Sequence, residues 1–235
     1  MLTKKINKLF FNEYPFRIKT KSKGANLLIR QGFEKVVAFC ASNNEKFHFT
    51  RFGLQGQQFT PNDKSRLLKY SESVLRWTCD AKDNGIKIYC ALNTINLYFK
   101  DEDLYRKAIV DLKPWISELN EPGSQEELDY MYANGAKQIL VDKLPHDGYE
   151  YRVFLKENLS ANKRSSILDW INRCPDGAVK PSKSTVDYLA QSRYYNWNPF
   201  LYINNSQNLT LLGLVGSGTI RRVERFVLRS SVLEE

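Results

Sequence analysis

The sequence predicts an α+β fold: antiparallel sheets with helices on one face, arranged as two ferredoxin-like modules in tandem. Three observations predict it. Strand-like and helix-like patterns alternate along 235 residues, enough chain for two domains of about a hundred residues each. A basic-aromatic strand pattern occurs twice without a gap, as "KLFFNEYPFRIKTK" (8–21) and "KLPHDGYEYRVFLK" (143–156). The overlay places Lys8-Leu9 on Lys143-Leu144, Tyr14 on Tyr149, Phe16 on Tyr151, Arg17 on Arg152, Ile18 on Val153 and Lys21 on Lys156. A second pair of strings, "LYFKDEDL" (97–104) and "LYINNSQNL" (201–209), shares a Leu-Tyr dipeptide, an apolar residue, a polar turn and a leucine. The strings lie 83 positions apart in the first half (Tyr14 to Leu97) and 52 in the second (Tyr149 to Leu201), so either one copy carries insertions or the correspondence is false. The expected modules are 1–122 and 123–235; the alternative is one α+β domain over 1–235.

Each element has its own signal. "YPFRIKTK" alternates as a strand, with Tyr14, Phe16 and Ile18 on one face and Arg17, Lys19 and Lys21 on the other. "KVVAFCA" is a continuous apolar, β-branched run and reads as a strand buried on both faces, and "KFHFTRF" alternates again. Thr60, Pro61 and Asp63 open a helix running through Leu67, Leu68, Val74 and Leu75. "IKIYCAL" and "INLYF" read as strands, and Asp101 caps "EDLYRKAIVDL", which Pro114 stops. Ser124 with Glu127 and then Asn134-Gly135 bracket a short helix. "KQILVDKL", the turn "PHDG" and "YEYRVFLK" read as a hairpin, followed by helices at "SANKRSSILDWINRC" and "SKSTVDYLAQ". Strands at "FLYI", "LTLLGLV" and "TIRRVERFVL" close the chain, with Gly216-Ser217-Gly218 as a turn between the last two.

A content of 42 % hydrophobic and 13 % aromatic residues predicts a chain folded nearly throughout. No run approaches the roughly 18 apolar residues of a membrane span, and the basic start lacks the apolar region and cleavage site of a signal peptide. Cys40, Cys79, Cys90 and Cys174 have no CxxC spacing and read as buried small hydrophobes of a reducing, cytoplasmic setting. The net charge of +9 gathers at the ends: nine Lys and Arg against Glu13 and Glu34 in the first 35 residues, and Arg221, Arg222, Arg225 and Arg229 against Glu224 near the end. Such clustering suits a polyanionic partner.

Alternation sends Tyr14, Phe16 and Ile18 to the core of the first module, and Tyr149, Tyr151 and Val153 to that of the second. It leaves Arg17, Lys19 and Lys21, and Glu150 and Arg152, on the outer faces. Ferredoxin-like sheets bind single strands with such faces, stacking bases on aromatics and pairing phosphate with arginine. The expected function is therefore non-enzymatic binding of single-stranded RNA or DNA through Arg17, Lys19, Lys21, Arg152, Arg221, Arg222 and Arg225, with no metal, cofactor or membrane. A plain solvated basic surface is the bland alternative.

Catalytic candidates are few. His48 sits among phenylalanines, and His146 in a turn beside Asp147. His146 beside Asp147 could serve as a general acid-base for RNA cleavage by the 2′-hydroxyl, and Asp142, Asp147 and Glu150 could hold the Mg²⁺ of a nuclease. In size, basic charge, paired ferredoxin-like modules and a glycine-containing turn near the C-terminus, the chain resembles the CRISPR-RNA-processing endoribonucleases. Their longer glycine-rich signature is represented by Gly213, Gly216 and Gly218 alone. That resemblance implies RNA cleavage as the alternative activity. A third class, a viral or phage structural or assembly protein with a protein partner or self-assembly, would place the same basic ends against a genome in the host cytoplasm or virion.

Overall fold

The computed structural model describes residues 2–47, 57–79, 81, 83–91, 93–190 and 195–233. They form two compact units, Met1–Gly123 and Ser124–Glu235. In the first unit the order is β1 (Leu2–Lys5), β2 (Phe16–Lys21), α1 (Ala25–Gln31), α2 (Phe33–Ala41), β3 (Lys46–Phe47), β4 (Gln57–Gln58), α3 (Pro61–Cys79), β5 (Lys87–Ala91), β6 (Thr94–Phe99), α4 (Glu102–Leu112) and β7 (Ile116–Glu121). The main sheet runs β1-β7-β2-β6-β5, with β1 parallel to β7 and the other pairs antiparallel. Without β1, this is the fourth-first-third-second order of a ferredoxin-like βαββαβ unit.

The second unit repeats the plan: α5 (Gln125–Asn134), β8 (Gln138–Val141), β9 (Tyr151–Leu155), α6 (Ala161–Arg173), β10 (Val179–Pro181), α7 (Lys183–Ala190), β11 (Phe200–Ile203), α8 (Ser206–Val215), β12 (Ile220–Leu228) and α9 (Arg229–Leu233). Its sheet runs β10-β11-β9-β12-β8, with β8 parallel to β12. The two sheets therefore share one topology, extra parallel edge strand included. The first unit lengthens the connection after its first ferredoxin strand with α1, α2, β3, β4 and α3; the second inserts α7 between its second and third.

One face of each sheet is closed by helices. In the first unit Phe16, Ile18, Leu97 and Phe99 pack against Leu67, Tyr70, Val74, Tyr105 and Ala108. In the second, Val153, Leu155, Leu201 and Ile203 pack against Ile167, Tyr188, Leu189 and Leu212. The caps follow the sequence. Thr60 Oγ1 accepts from the Asp63 amide (3.1 Å) while Asp63 accepts from the Thr60 amide (3.0 Å), and Asp101 accepts from the Leu104 amide (2.8 Å).

Four readings are corrected. "KVVAFCA" is helical: it belongs to α2, whose N-cap is Gly32, with Val36 and Phe39 buried one turn apart. "LTLLGLV" is α8, capped by Asn205, whose side chain accepts from the Asn208 amide (2.9 Å), so Gly216-Ser217-Gly218 joins a helix to a strand. Strands β8 and β9 are not a hairpin, because β12 lies between them. None of the four cysteines is fully buried: Cys79 is exposed and Cys40, Cys90 and Cys174 are half-buried, all as free thiols. "KFHFTRF" is described only at Lys46–Phe47, where it pairs with β4, and His48 lies outside the described residues. Among the described residues no helix is long and apolar enough to cross a membrane.

In the second unit Ser124 accepts from the Glu127 amide (3.3 Å), as a capping box requires, but the Glu127 carboxylate goes elsewhere. It pairs with Arg229 of α9, whose Nε also lies 3.2 Å from Asp142. Glu127 is 1 % exposed and Arg229 5 %. Removing one member of a buried ion pair leaves a poorly compensated charge, at a cost of about 3–5 kcal/mol. Glu127→Ala is expected to lower the stability of the second unit by about 3 kcal/mol or more, measured by urea unfolding. A loss below about 1 kcal/mol would show that the pair contributes little.

Candidate nucleic-acid interface

The outer face of each sheet is built in the same rows. In the first unit Arg17 of β2 lies between Tyr98 of β6 and Asn120 of β7. In the second Arg152 of β9 lies between Tyr202 of β11 and Glu224 of β12. Both guanidinium groups face a buried acceptor on the fourth ferredoxin strand. Arg17 Nε donates to Asn120 Oδ1 (2.8 Å) and its Nη2 pairs with Glu118. Arg152 Nε donates to Glu224 Oε2 (2.8 Å), and that carboxylate is 0 % exposed.

The chain before each of these strands folds back over the outer face. Phe11 and Tyr14 pack on Tyr98, and His146 and Tyr149 pack on Tyr202. Phe11 (φ 51°) and His146 (φ 50°), matched in the sequence overlay, both take the left-handed conformation that the fold-back needs. A lysine at the same register closes each clasp: Lys87 lies 3.8 Å from the Phe11 ring centroid, and Lys180 Nζ 3.2 Å from His146 Nδ1. Tyr14 and Tyr149 thus pack on the outer face, not in the core beside Phe16 and Val153, because the chain turns before it enters the strand.

The next row separates the units. Lys19 lies opposite Glu118 in the first; the second has Phe154 opposite Arg222. The guanidinium carbons of Arg222, Arg152 and Arg221 lie 4.1, 5.2 and 5.9 Å from the Phe154 ring centroid. Phe200, Tyr202 and Phe226 continue this face. Lys156 and Lys163 approach the same end of the sheet through the turn after α8: the Lys156 amide donates to Thr219 O (2.8 Å), and Lys163 Nζ to Ser217 O (3.4 Å).

The structure does not gather all the anticipated contacts. Arg152, Arg221 and Arg222 surround one ring. Arg225, opposite Tyr151, lies on the other face of β12, beside Val223. Arg17, Lys19 and Lys21 alternate along β2 in the first unit, where Glu118 pairs with both Arg17 and Lys4. His146 is exposed at its clasp, and Glu150 accepts the Phe226 amide through its carbonyl (2.7 Å). Among the described residues no group of three or more His, Cys, Asp or Glu could hold a metal ion. The charge is also uneven: residues 1–123 hold 21 Lys and Arg against 13 Asp and Glu, and residues 124–235 hold 14 against 13.

Sequence reasoning missed the segment before β11. Its signal is the aromatic-asparagine string "NWNPF" (196–200). Here Tyr195 Oη donates to Glu157 Oε2 (2.5 Å), Arg221 Nη1 donates to Glu157 Oε1 (2.7 Å), and Arg221 Nη2 donates to Asn198 Oδ1. The Tyr195 hydroxyl, then the Asn198 amide and Arg221, hold the Glu157 carboxyl below its usual value. A carboxylate with a lowered folded-state pKa stabilises the fold fully above its unfolded pKa, and this contribution is lost as pH falls through the lowered value. The segment is therefore expected to stay anchored from neutral pH down to about pH 4.5 and to loosen below it. Trp197 fluorescence checks this: Glu157→Gln should remove the acid-dependent change, and an identical acid response in that variant would dissociate Glu157 from the loop.

Compared with family models, characterised proteins and solved structures, the chain matches none.

Proposed function

We propose that the chain is a non-enzymatic nucleic-acid-binding protein that engages single-stranded RNA or DNA on the outer face of its C-terminal sheet. The observation that carries this reading is the set of three arginines around Phe154. An aromatic sheet face offers a stacking surface that every base can use, and guanidinium groups beside it suit phosphate. The cluster has three arginines, offset by Glu157 and Glu224. A surplus of about one cation predicts a weak salt response: at about 0.7 in logarithmic slope per phosphate, single-strand affinity falls about 2- to 3-fold between 50 and 200 mM salt. The cationic excess of residues 1–123 adds sequence-independent attraction.

Arg222 is the direct test, since half of its side chain is exposed and Glu224 keeps Arg152 as partner when it is removed. Arg222→Ala is expected to weaken single-strand binding about 10-fold or more. Arg225→Ala, on the other face of the same strand, should change it less than about 2-fold, within the spread of a surface substitution. Fluorescence anisotropy with labelled RNA and DNA single strands and duplexes measures both. Equal effects of the two substitutions would remove the interface from this face. Cleavage of the labelled strands that disappears in His146→Ala would favour the nuclease instead.

A further inference from the structure

Trp197 is 75 % exposed and its neighbour Tyr195 52 %. The chain's other tryptophans are placed differently: Trp77 is buried in the first core, and Trp115 and Trp170 pack against the two cores. An exposed ring on a loose loop would need no explanation. This one stands on a fixed support. Tyr195 is tied to Glu157, Asn196 Nδ2 donates to Ser184 O (2.9 Å), Asn198 accepts from Arg221, and Pro199 O accepts from the Leu155 amide (2.8 Å). Asn198 takes a left-handed conformation (φ 56°) to turn the chain there. The Tyr195 ring meets Trp197 edge-on at 90°, centroids 5.2 Å apart. Arg221, which holds both sides of this segment, is also one of the arginines at Phe154, so the ring adjoins the cationic end of the outer face.

We infer that Trp197 is a base-stacking platform for single-stranded nucleic acid, held ready by Tyr195, Glu157 and Arg221 before the ligand arrives. The inference rests on the nucleic-acid reading above and adds a ligand class and a contact: an unpaired base of any identity, lying on the indole, with its backbone led toward Arg222. Paired bases cannot offer a free face inside a duplex, so the platform discriminates single strands from duplexes. Anchoring the ring in advance reduces the ordering cost of binding. Arg221 is a positioning residue here, because its guanidinium is engaged by Glu157 and Asn198.

The test uses the full chain, short oligo-dT and oligo-U single strands, and a DNA duplex, reading intrinsic fluorescence and the anisotropy of labelled strands. Single strands are expected to quench the wild-type protein. Trp197→Ala should lose that quenching and bind single strands about 5- to 150-fold more weakly, the range for one stacked base, with duplex binding unchanged. Trp197→Phe, which keeps an aromatic face, should recover most of the affinity. Unchanged single-strand affinity in Trp197→Ala, with salt-dependent binding retained, overturns the platform and leaves the parent reading standing. Equal losses for single strands and duplex also overturn it. Absence of single-strand binding by the wild-type protein overturns both.

Discussion

A guanidinium in the middle of a sheet's outer face must find a carboxylate or amide acceptor, and in each unit the fourth ferredoxin strand supplies it. Arg17 finds Asn120 and Glu118; Arg152 finds Glu224. The cost of burying Glu224 completely is offset only with its charge partner in place. This pair constrains more than itself. It ties the first ferredoxin strand of the unit to the fourth, across the longest sequence separation of the βαββαβ plan. It puts an aromatic ring, Tyr98 or Tyr202, on the other side of the arginine, and that ring receives the fold-back loop.

From this shared row the units diverge by substitution at matched positions. Glu118 in the first takes the place of Arg222 in the second, and Lys19 that of Phe154. The first row is charge-paired, with Lys4 adding a second link to Glu118. The second is aromatic and cationic. Yet the first half of the sequence carries most of the net charge and the second is nearly neutral. Net charge governs approach and local geometry governs contact, so the two properties need not reside in the same unit.

Much of the fold was legible because its signals are local. The caps at Thr60, Asp101 and Ser124 depend on residues three positions away, and alternation in "FRIKTK" is set by the pleat. The repeat was legible because the clasp, turn and strand lie in one gapless stretch of 14 residues. What failed was non-local. Short apolar runs such as "KVVAFCA" and "LTLLGLV" suit a buried strand or a buried helix equally, and only tertiary packing decides. The apparent hairpin at 138–155 failed because β12, from the far end of the chain, inserts between its strands. The site was half legible. Arg152, Arg221 and Arg222 were marked by charge, but their meeting at Phe154 depends on the register shift between Ile220 and Arg222, which no local pattern reveals.

On the proposed reading, the clasp also limits where a ligand can lie. An open four-stranded sheet would let bases stack near its centre, but in the C-terminal unit the Tyr202 ring there is already met by His146 and Tyr149. That row is further closed by the Arg152–Glu224 pair. The next row, Phe200, Phe154 and Arg222, lies beyond the clasp, toward the turn after α8 and the segment carrying Trp197. A fold-back that fills one end of a sheet leaves binding to the other. On the proposed reading, the same loop that makes the repeat recognisable in sequence confines the ligand to the end where the two units differ.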